Sequence, residues 1–271
     1  MHEDNITRKI IDAGSQAGVG IIEGSTIVDG LRLYVKCRCN PNSEEVILFL
    51  HGLACSTDTF RNVFDENYFP DKSLLLVDLI GFGSSEKPAD FSYYMEDQAV
   101  LISNLLSELP FSKIHIVVHS MGGAIALLLP DSILSRVKSF ANVEGNLISE
   151  DCGLLSRGIA SGTFQEYERI HYKKHLEEFN DHNQLRFEES TPLAIFRSAR
   201  SLVEWSDNGK LLEKFINLNC RKSYFYGEEN RNMPILRRLE FVDKIMIHNS
   251  GHGMTTENPK EFYSRLVDFV K

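Results

Sequence analysis

The sequence predicts an α/β protein built on a doubly wound, mostly parallel sheet that a helical insertion interrupts. Three observations carry that expectation. The runs "EVILFLHG" (45–52) and "SLLLVDLIG" (73–81) are nearly unbroken Leu, Ile, Val and Phe, as in parallel strands covered on both faces. From residue 26 to 143 such runs alternate with segments of helical spacing. That rhythm stops between residues 146 and 207 and then resumes.

Taken in order, "LRLYVKC" reads as a strand at the sheet edge, followed by the two apolar strands. Between Ser92 and Leu109, the positions Met95, Ala99, Ile102, Leu106 and Leu109 recur every three or four residues and predict an amphipathic helix. "IHIVVHSMGGAIALLLP" (114–130) begins with β-branched alternation and ends in helix formers, so a strand turns into a helix at Ser120. "RVKSFANVE" (136–144) is the next strand. Residues 146–207 are polar, with helix-like stretches at "FQEYERIHYKKHLEEF" and "TPLAIFRSARSLVEW". In the second, Thr191 supplies an N-cap and Pro192 the first helical position. "KLLEKFINL", "KSYFYG" (222–227) and "KIMIHNSG" (244–251) restore the rhythm. The last helix starts at Asn258 and Pro259, with Glu261 as a capping-box partner. The expected division is a core of residues 1–145 and 208–271 and a helical cap of residues 146–207.

Composition narrows the function classes. A chain of 271 residues, 42% apolar, can bury one large core. Its net charge of −9 is dispersed, which argues against a nucleic-acid partner. "MHEDNITRKI" lacks the apolar core of a signal peptide, and His115, His119 and the glycine pair make 114–130 a poor membrane span. The expectation is a cytoplasmic protein without a membrane span. Five scattered cysteines (Cys37, Cys39, Cys55, Cys152, Cys220) then read as reduced core or near-core residues. "GVGIIEG" and "GFGSS" lack the full dinucleotide fingerprint or a Walker lysine. His171 and His175 are four apart on a helix but have no acidic partner between them, so they read as a solvated face. No metal or organic cofactor is implied.

Parallel α/β sheets bind ligands beyond the carboxyl ends of their strands. The polar residues expected there are His51-Gly52, Asp78, Ser120, Glu144, Glu228-Glu229 and His252. A serine hydroxyl is a weak nucleophile and needs a base held by a third group. A sharp strand–serine–helix turn exposes the hydroxyl, demands small residues behind it, and aims the helix N-terminus at the site. Gly122 and Gly123 stand where that turn needs them.

These motifs together resemble the α/β-hydrolase superfamily over nearly the whole chain. "VVHSMGGA" is similar to its nucleophile elbow, "LFLHGLACS" to its oxyanion loop, "VDLIGFGSSEKP" to the turn after the next strand, and "NSGHGMTTENPKEF" to the segment of its catalytic histidine. The resemblance implies Ser120 as nucleophile, His252 as base, and the backbone N–H groups of Leu53 and Met121 as the oxyanion hole. His51, His119 and Asp78 become structural. Val118 departs from the pattern, which usually has a small residue two before the nucleophile.

The third member of the triad departs further. The superfamily most often places an acid three residues past the glycine ending the penultimate strand, and here that residue is Asn230. Glu228 or Glu229 could serve from a rearranged loop, or the acid could be Glu144, after the strand that follows the nucleophile's helix. A helix of about a dozen residues descends roughly 18 Å at 1.5 Å per residue. The strand 137–143 climbs back roughly 23 Å, which favours Glu144 at the same edge as Ser120.

The expected function is a serine hydrolase cleaving a small-molecule carboxylic ester. Thioesters, lactones and carbon–carbon bonds next to a carbonyl use the same machinery. A serine in place of aspartate argues against the dehalogenase and epoxide-hydrolase branches. The cap would line the acyl or alcohol pocket with Phe164, Tyr167, Phe196 and Trp205 as its apolar contacts, and simple packing of the cap explains the same four residues equally well. The alternative is a ligand sensor of the same fold that turns over slowly and signals to a protein partner.

Overall fold

The computed structural model describes residues 20–179 and 185–271. The readings of the polar amino terminus and of the first residues of "GVGIIEG" lie outside them. Eight strands form one sheet: β1 (Ile21–Val28), β2 (Leu31–Arg38), β3 (Glu45–Leu50), β4 (Ser73–Val77), β5 (Lys113–His119), β6 (Val137–Val143), β7 (Arg221–Gly227) and β8 (Asp243–Ile247). Their spatial order is β1-β2-β4-β3-β5-β6-β7-β8. The pairs β1–β2 and β2–β4 are antiparallel, and the remaining pairs are parallel.

The unbroken apolar runs follow from burial on both faces. Along β3, Val46, Leu48 and Leu50 pack into one layer with Ile114, Ile116 and Val118 of β5. The intervening Ile47 and Phe49 face the other layer with Val117. The helix Met95–Glu108 adds Met95, Ala99, Ile102 and Leu106 to the first layer. The helix Pro259–Val270 adds Phe262, Leu266 and Phe269 to the second. Asn258 caps that last helix by accepting from the Glu261 N–H at 3.4 Å. The Glu261 carboxylate reaches the Asn258 side chain, accepting from Nδ2 at 3.1 Å, and also His248, accepting from its backbone N–H at 3.0 Å and meeting its Nδ1 at 2.8 Å.

One strand assignment needs correction. "LRLYVKC" forms β2, one place in from the edge, because β1 pairs outside it. Asp29 and Gly30 join the two with φ of 51° and 80°, the left-handed pair of a tight hairpin.

The segment between β6 and β7 is helical, with no strand among its described residues. It holds Gly153–Ala160, a helical run from Phe164 to Phe179 with a π turn at Tyr167–His171, and the helix Pro192–Asp207. Thr191 accepts from the Ala194 N–H at 3.2 Å and Pro192 opens the last of these. Among the described residues no helix is long and apolar enough to cross a membrane.

The topology also fixes where a ligand can sit. The chain leaves β3 for β4 on one side, then crosses to β5 on the other. Connections therefore diverge at the carboxyl ends of β3 and β5, which opens a crevice there. The loop His51-Gly52-Leu53 ends β3, and Ser120 ends β5.

Candidate active site

Ser120 stands between β5 and the helix Met121–Leu127 with φ 51° and ψ −122°. A left-handed φ is strained for a residue with a Cβ, and such strain persists only where the surroundings impose it. Here the Ser120 N–H is tied to the Val143 carbonyl at 3.1 Å, and its own carbonyl accepts from Gly123 at 2.9 Å. The helix then passes so near β3 that a Cβ on Gly122 would lie 2.5 Å from the Leu50 carbonyl oxygen. Val118, bulky where the superfamily pattern is small, is fully buried between Leu50 and Asn142 of the neighbouring strands.

The helix after Ser120 is shorter than expected. It runs seven residues and Pro130 separates it from a further turn, Asp131–Leu134, since proline lacks the N–H that would continue it. The return along β6 nevertheless ends level with the serine: His119 pairs with Val143, so Glu144 lies at the same sheet edge.

Glu144 has φ 42° and a side chain only 1% exposed. A buried carboxylate needs partners, and four contacts supply them. The Gly227 N–H donates to Oε1 at 2.9 Å, and Asn230 Nδ2 donates to Oε1 and Oε2 at 3.0 and 2.9 Å. His252 Nδ1 meets Oε2 at 2.7 Å. Burial favours the neutral acid, but the bond and charge of His252, the Gly227 N–H and Asn230 outweigh it and hold Glu144 below the usual range. Asn230 thus occupies the position where an acid is most common and serves as a donor to an acid brought from the neighbouring strand.

Glu228 and Glu229 are directed elsewhere. The Glu228 carboxylate accepts from the Asn249 N–H at 2.9 Å, and Glu229 is exposed. Both belong to the turn that supports the histidine loop, where the Glu229 N–H also donates to the Ser250 carbonyl at 3.1 Å.

His252 follows β8 in that loop, braced by Gly251 N–H to Glu257 Oε2 at 2.7 Å and Ser250 Oγ to the Ile247 carbonyl at 2.9 Å. Its side chain is 53% exposed. Desolvation lowers the pKa of the ring, but the hydrogen bond and charge of Glu144 prevail and raise it above the usual histidine value. With Nδ1 facing Glu144, Nε2 is left for the ligand side. No hydrogen bond joins it to Ser120 Oγ among the described residues; such a bond often closes only when substrate is bound.

His51 and His119 hold the framework. His51 Nδ1 lies 2.8 Å from the Gly52 carbonyl, and its Nε2 accepts from the Leu79 N–H at 3.0 Å, joining the loops after β3 and β4. His119 Nε2 reaches the His252 carbonyl at 3.0 Å. Asp78 accepts from the Thr57 N–H at 2.6 Å and the Ser84 N–H at 2.8 Å, organising the turn after β4.

A cavity of about 520 Å³ collects Ser120, His252, Glu144, Gly52 and Leu53. From the helical segment it takes Leu155, Ser156 and Leu185, and from the loop after β7 it takes Met233. The four aromatic residues of the helical segment do not line it, and packing, the other reading open to them, accounts for them. Phe164 and Phe196 border a different hollow, Tyr167 is buried among other rings, and Trp205 packs against the core. No sequence signal marks Leu155, Leu185 or Met233, since an apolar residue on a helix reads as core. His175 is also reassigned: it is half-buried against Tyr167, Phe179 and Phe187, not on a solvated face.

Comparison with known proteins agrees with this fold. A family model described as alpha/beta hydrolase fold matches residues 45–186. An uncharacterised hydrolase, YugF, of Bacillus subtilis (strain 168) is 26% identical over 274 residues, covering 90% of this chain and 96% of that protein. Lipase 3 of Moraxella sp. (strain TA144) is 29% identical over 138 residues, covering 50% of this chain and 42% of the lipase. Among solved structures, a thermophilic esterase from Thermogutta terrifontis superposes with a TM-score of 0.69 at 17% identity, covering 93% of this chain and 98% of the esterase. By sequence and by fold, this chain belongs to the α/β-hydrolase fold family.

Proposed function

We propose that the protein is a serine hydrolase acting on small-molecule carboxylic esters, with Ser120 as nucleophile, His252 as base and Glu144 as the acid that orients it. The observation that carries this reading is the 2.7 Å contact between His252 Nδ1 and the buried Glu144 Oε2, in the cavity that also holds Ser120 at its strained turn. The lipase among the relatives favours an ester over other acyl compounds.

In the proposed reaction Ser120 Oγ attacks the ester carbonyl carbon while its proton passes to His252 Nε2. Glu144 stabilises the imidazolium without taking the proton. The carbonyl oxygen becomes an oxyanion held by the N–H groups of Leu53 and Met121. Met121 opens its helix, so its N–H has no acceptor within the helix, and Gly52 brings the other loop against Ser120. The C–O bond then breaks, and the leaving alkoxide takes the proton from Nε2. Water, deprotonated by the same histidine, attacks the acyl group and frees Ser120. Residues 146–207 act as a cap, since Gly153, Leu155, Ser156 and Leu185 close one side of the cavity.

Hydrolysis of p-nitrophenyl acetate and butyrate tests the assignment. Ser120→Ala and Glu144→Gln should each lower kcat by roughly 10³-fold or more. The double variant Glu228→Gln/Glu229→Gln should stay near wild type. Loss only in the double variant would return the acid to the loop after β7. A single burst without turnover would move the reading to a ligand sensor.

A further inference from the structure

A second reactive group lies at the end of β2, away from the cavity. Successive side chains of a strand point to opposite faces, so two cysteines with one residue between them share a face. Cys37 and Cys39 do so, both are free thiols, and their sulfurs lie 3.0 Å apart. A disulfide would bring them closer by only about 1 Å. Residues two apart on a strand have Cα atoms separated by roughly 6.6 Å, inside the range of about 4.4–6.8 Å that a disulfide spans. The backbone has room to adjust as well. The last ladder pairs of β2 join Arg38 to Ile21 on one side and to Leu74 on the other, so Cys39 lies just beyond both. A turn at residues 41–42 follows, with Asn42 exposed, and element ends beside such turns open first.

The other three cysteines differ from this pair. Cys55 Sγ donates to the Leu53 carbonyl at 3.4 Å, and Cys152 Sγ meets the Leu202 carbonyl at 4.0 Å and Asn146 Nδ2 at 3.7 Å. Burial pushes the Cys55 thiol up to about 12 and raises those of Cys152 and Cys220, which keeps all three protonated and unreactive. The pair escapes this because one S–H can donate to the other sulfur and stabilise its thiolate. Cys39 receives that bond from Cys37 and is held below the usual thiol range against the effect of burial. Cys37, whose proton makes the bond and which lies deeper, is held well above it. Cys39 is also the less enclosed, 5% exposed against 0% for Cys37. The two sulfurs are therefore unequal, an ionisable one at the strand end and a protonated one behind it.

We infer that Cys37 and Cys39 form a hydroperoxide-sensitive dithiol that closes reversibly to a disulfide. The Cys39 thiolate attacks one oxygen of hydrogen peroxide: an S–O bond forms, the O–O bond breaks, and the leaving hydroxide takes up the proton that Cys39 released. The Cys37 sulfur then attacks the Cys39 sulfur: an S–S bond forms, the S–O bond breaks, and the hydroxide leaves with the Cys37 proton as water. Two thiols are oxidised and one peroxide is reduced to two waters. A sulfur with such a partner stops at the reversible disulfide instead of passing on to sulfinic acid. Neither cysteine borders the cavity of Ser120, so the site stands apart from the hydrolase reading. The test treats the full chain with hydrogen peroxide at neutral pH, removes the peroxide, unfolds the protein and alkylates it with iodoacetamide, with and without prior dithiothreitol. By mass spectrometry the product should be two hydrogens lighter before alkylation, keep three of its five alkylatable thiols, and regain all five with dithiothreitol. Peptide mapping should find the bond between Cys37 and Cys39, lost as thiols at least about ten-fold faster than Cys55, Cys152 or Cys220. In Cys37→Ser, Cys39 should stop at a sulfenic acid that dimedone traps, and in Cys39→Ser the remaining Cys37 should react no faster than the other three. The wild-type measurement decides the matter even where a variant does not fold. A pair that stays alkylatable while N-acetylcysteine in the same tube is oxidised overturns the inference. Oxidation spread evenly over all five thiols, or a disulfide that forms only in urea, overturns it equally.

Discussion

Glu144 and His252 lie 108 residues apart in sequence, and their side chains meet at 2.7 Å, one buried and the other half in solvent. The asymmetry sets a pH dependence. In the proposed reaction His252 must be neutral at Nε2 to accept a proton, and its pKa is raised because Glu144 outweighs desolvation. The acid limb of kcat/KM should therefore fall above the ordinary histidine value of 6.5. In Glu144→Gln the desolvation remains and the charge is gone, so the residual activity should titrate at lower pH than in wild type. A pH profile of p-nitrophenyl butyrate hydrolysis reads both limbs, and an unmoved limb in the variant would separate Glu144 from the base.

Asn230 gives a second handle on the same carboxylate. It donates to both Glu144 oxygens, at 3.0 and 2.9 Å, and charge-assisted bonds of this kind contribute about 1.5–3 kcal/mol each. Asn230→Ala should lower kcat about ten-fold or more with little change in KM, because the orientation of His252 suffers and the cavity keeps its apolar wall. Asn230→Asp sets a second carboxylate about 3 Å from the first, so one of the two stays protonated near neutrality. Its activity should fall further than that of Asn230→Ala. Equal activity in all three proteins would leave Asn230 without a positioning role.

Much of this was legible in the sequence. Strand identity showed because two-sided burial leaves unbroken apolar runs, and Ser120 showed because its turn demands the glycines behind it. Glu144 was reachable from the lengths of one helix and one strand, although the helix is shorter than the estimate and the register of β5 on β6 does the placing. The work of Asn230 was invisible, since an amide at an acid's usual position reads as a loss until its acceptor is known. The cavity wall was hidden for a related reason. Leu155 and Leu185 differ from core leucines only in which side of the segment faces Ser120. The outer strand β1 was missed although Asp29-Gly30 is a hairpin signal, because Glu23-Gly24-Ser25-Thr26 divides its apolar residues and breaks the alternation.

The close approach behind Ser120 predicts opposite outcomes for two glycines. Gly122→Ala places a Cβ 2.5 Å from the Leu50 carbonyl oxygen and 2.8 Å from that of His51, and neither backbone atom can give without moving β3. The cost should be about 3 kcal/mol, the upper range for overpacking, with a loss of activity as the Leu53 loop shifts. Gly158 lies in the helix Gly153–Ala160, and a Cβ there meets nothing within 4 Å. Gly158→Ala should stabilise by about 0.5–1 kcal/mol through the lost freedom of the unfolded chain. Urea unfolding midpoints of the two variants should lie on opposite sides of wild type.

Asp151 makes stability itself depend on pH. Burial, against the help of the Leu147 and Ile148 N–H groups, raises its pKa from 3.8 to about 6 in the folded protein. The folded state thus binds this proton more tightly than the unfolded chain does. The stabilisation is complete below 3.8 and disappears as pH rises through about 6, because ionising the buried acid costs more than ionising it in water. Asp151→Asn keeps an oxygen acceptor for the two amides and cannot ionise. Wild type should therefore lose stability relative to Asp151→Asn between about pH 4 and about pH 6, and the difference should stay constant above about pH 7. Urea unfolding of both proteins across that range measures it. A difference that does not change with pH would mean that Asp151 ionises in the folded protein as it does in the unfolded chain, and that the amides of Leu147 and Ile148 offset its burial in full.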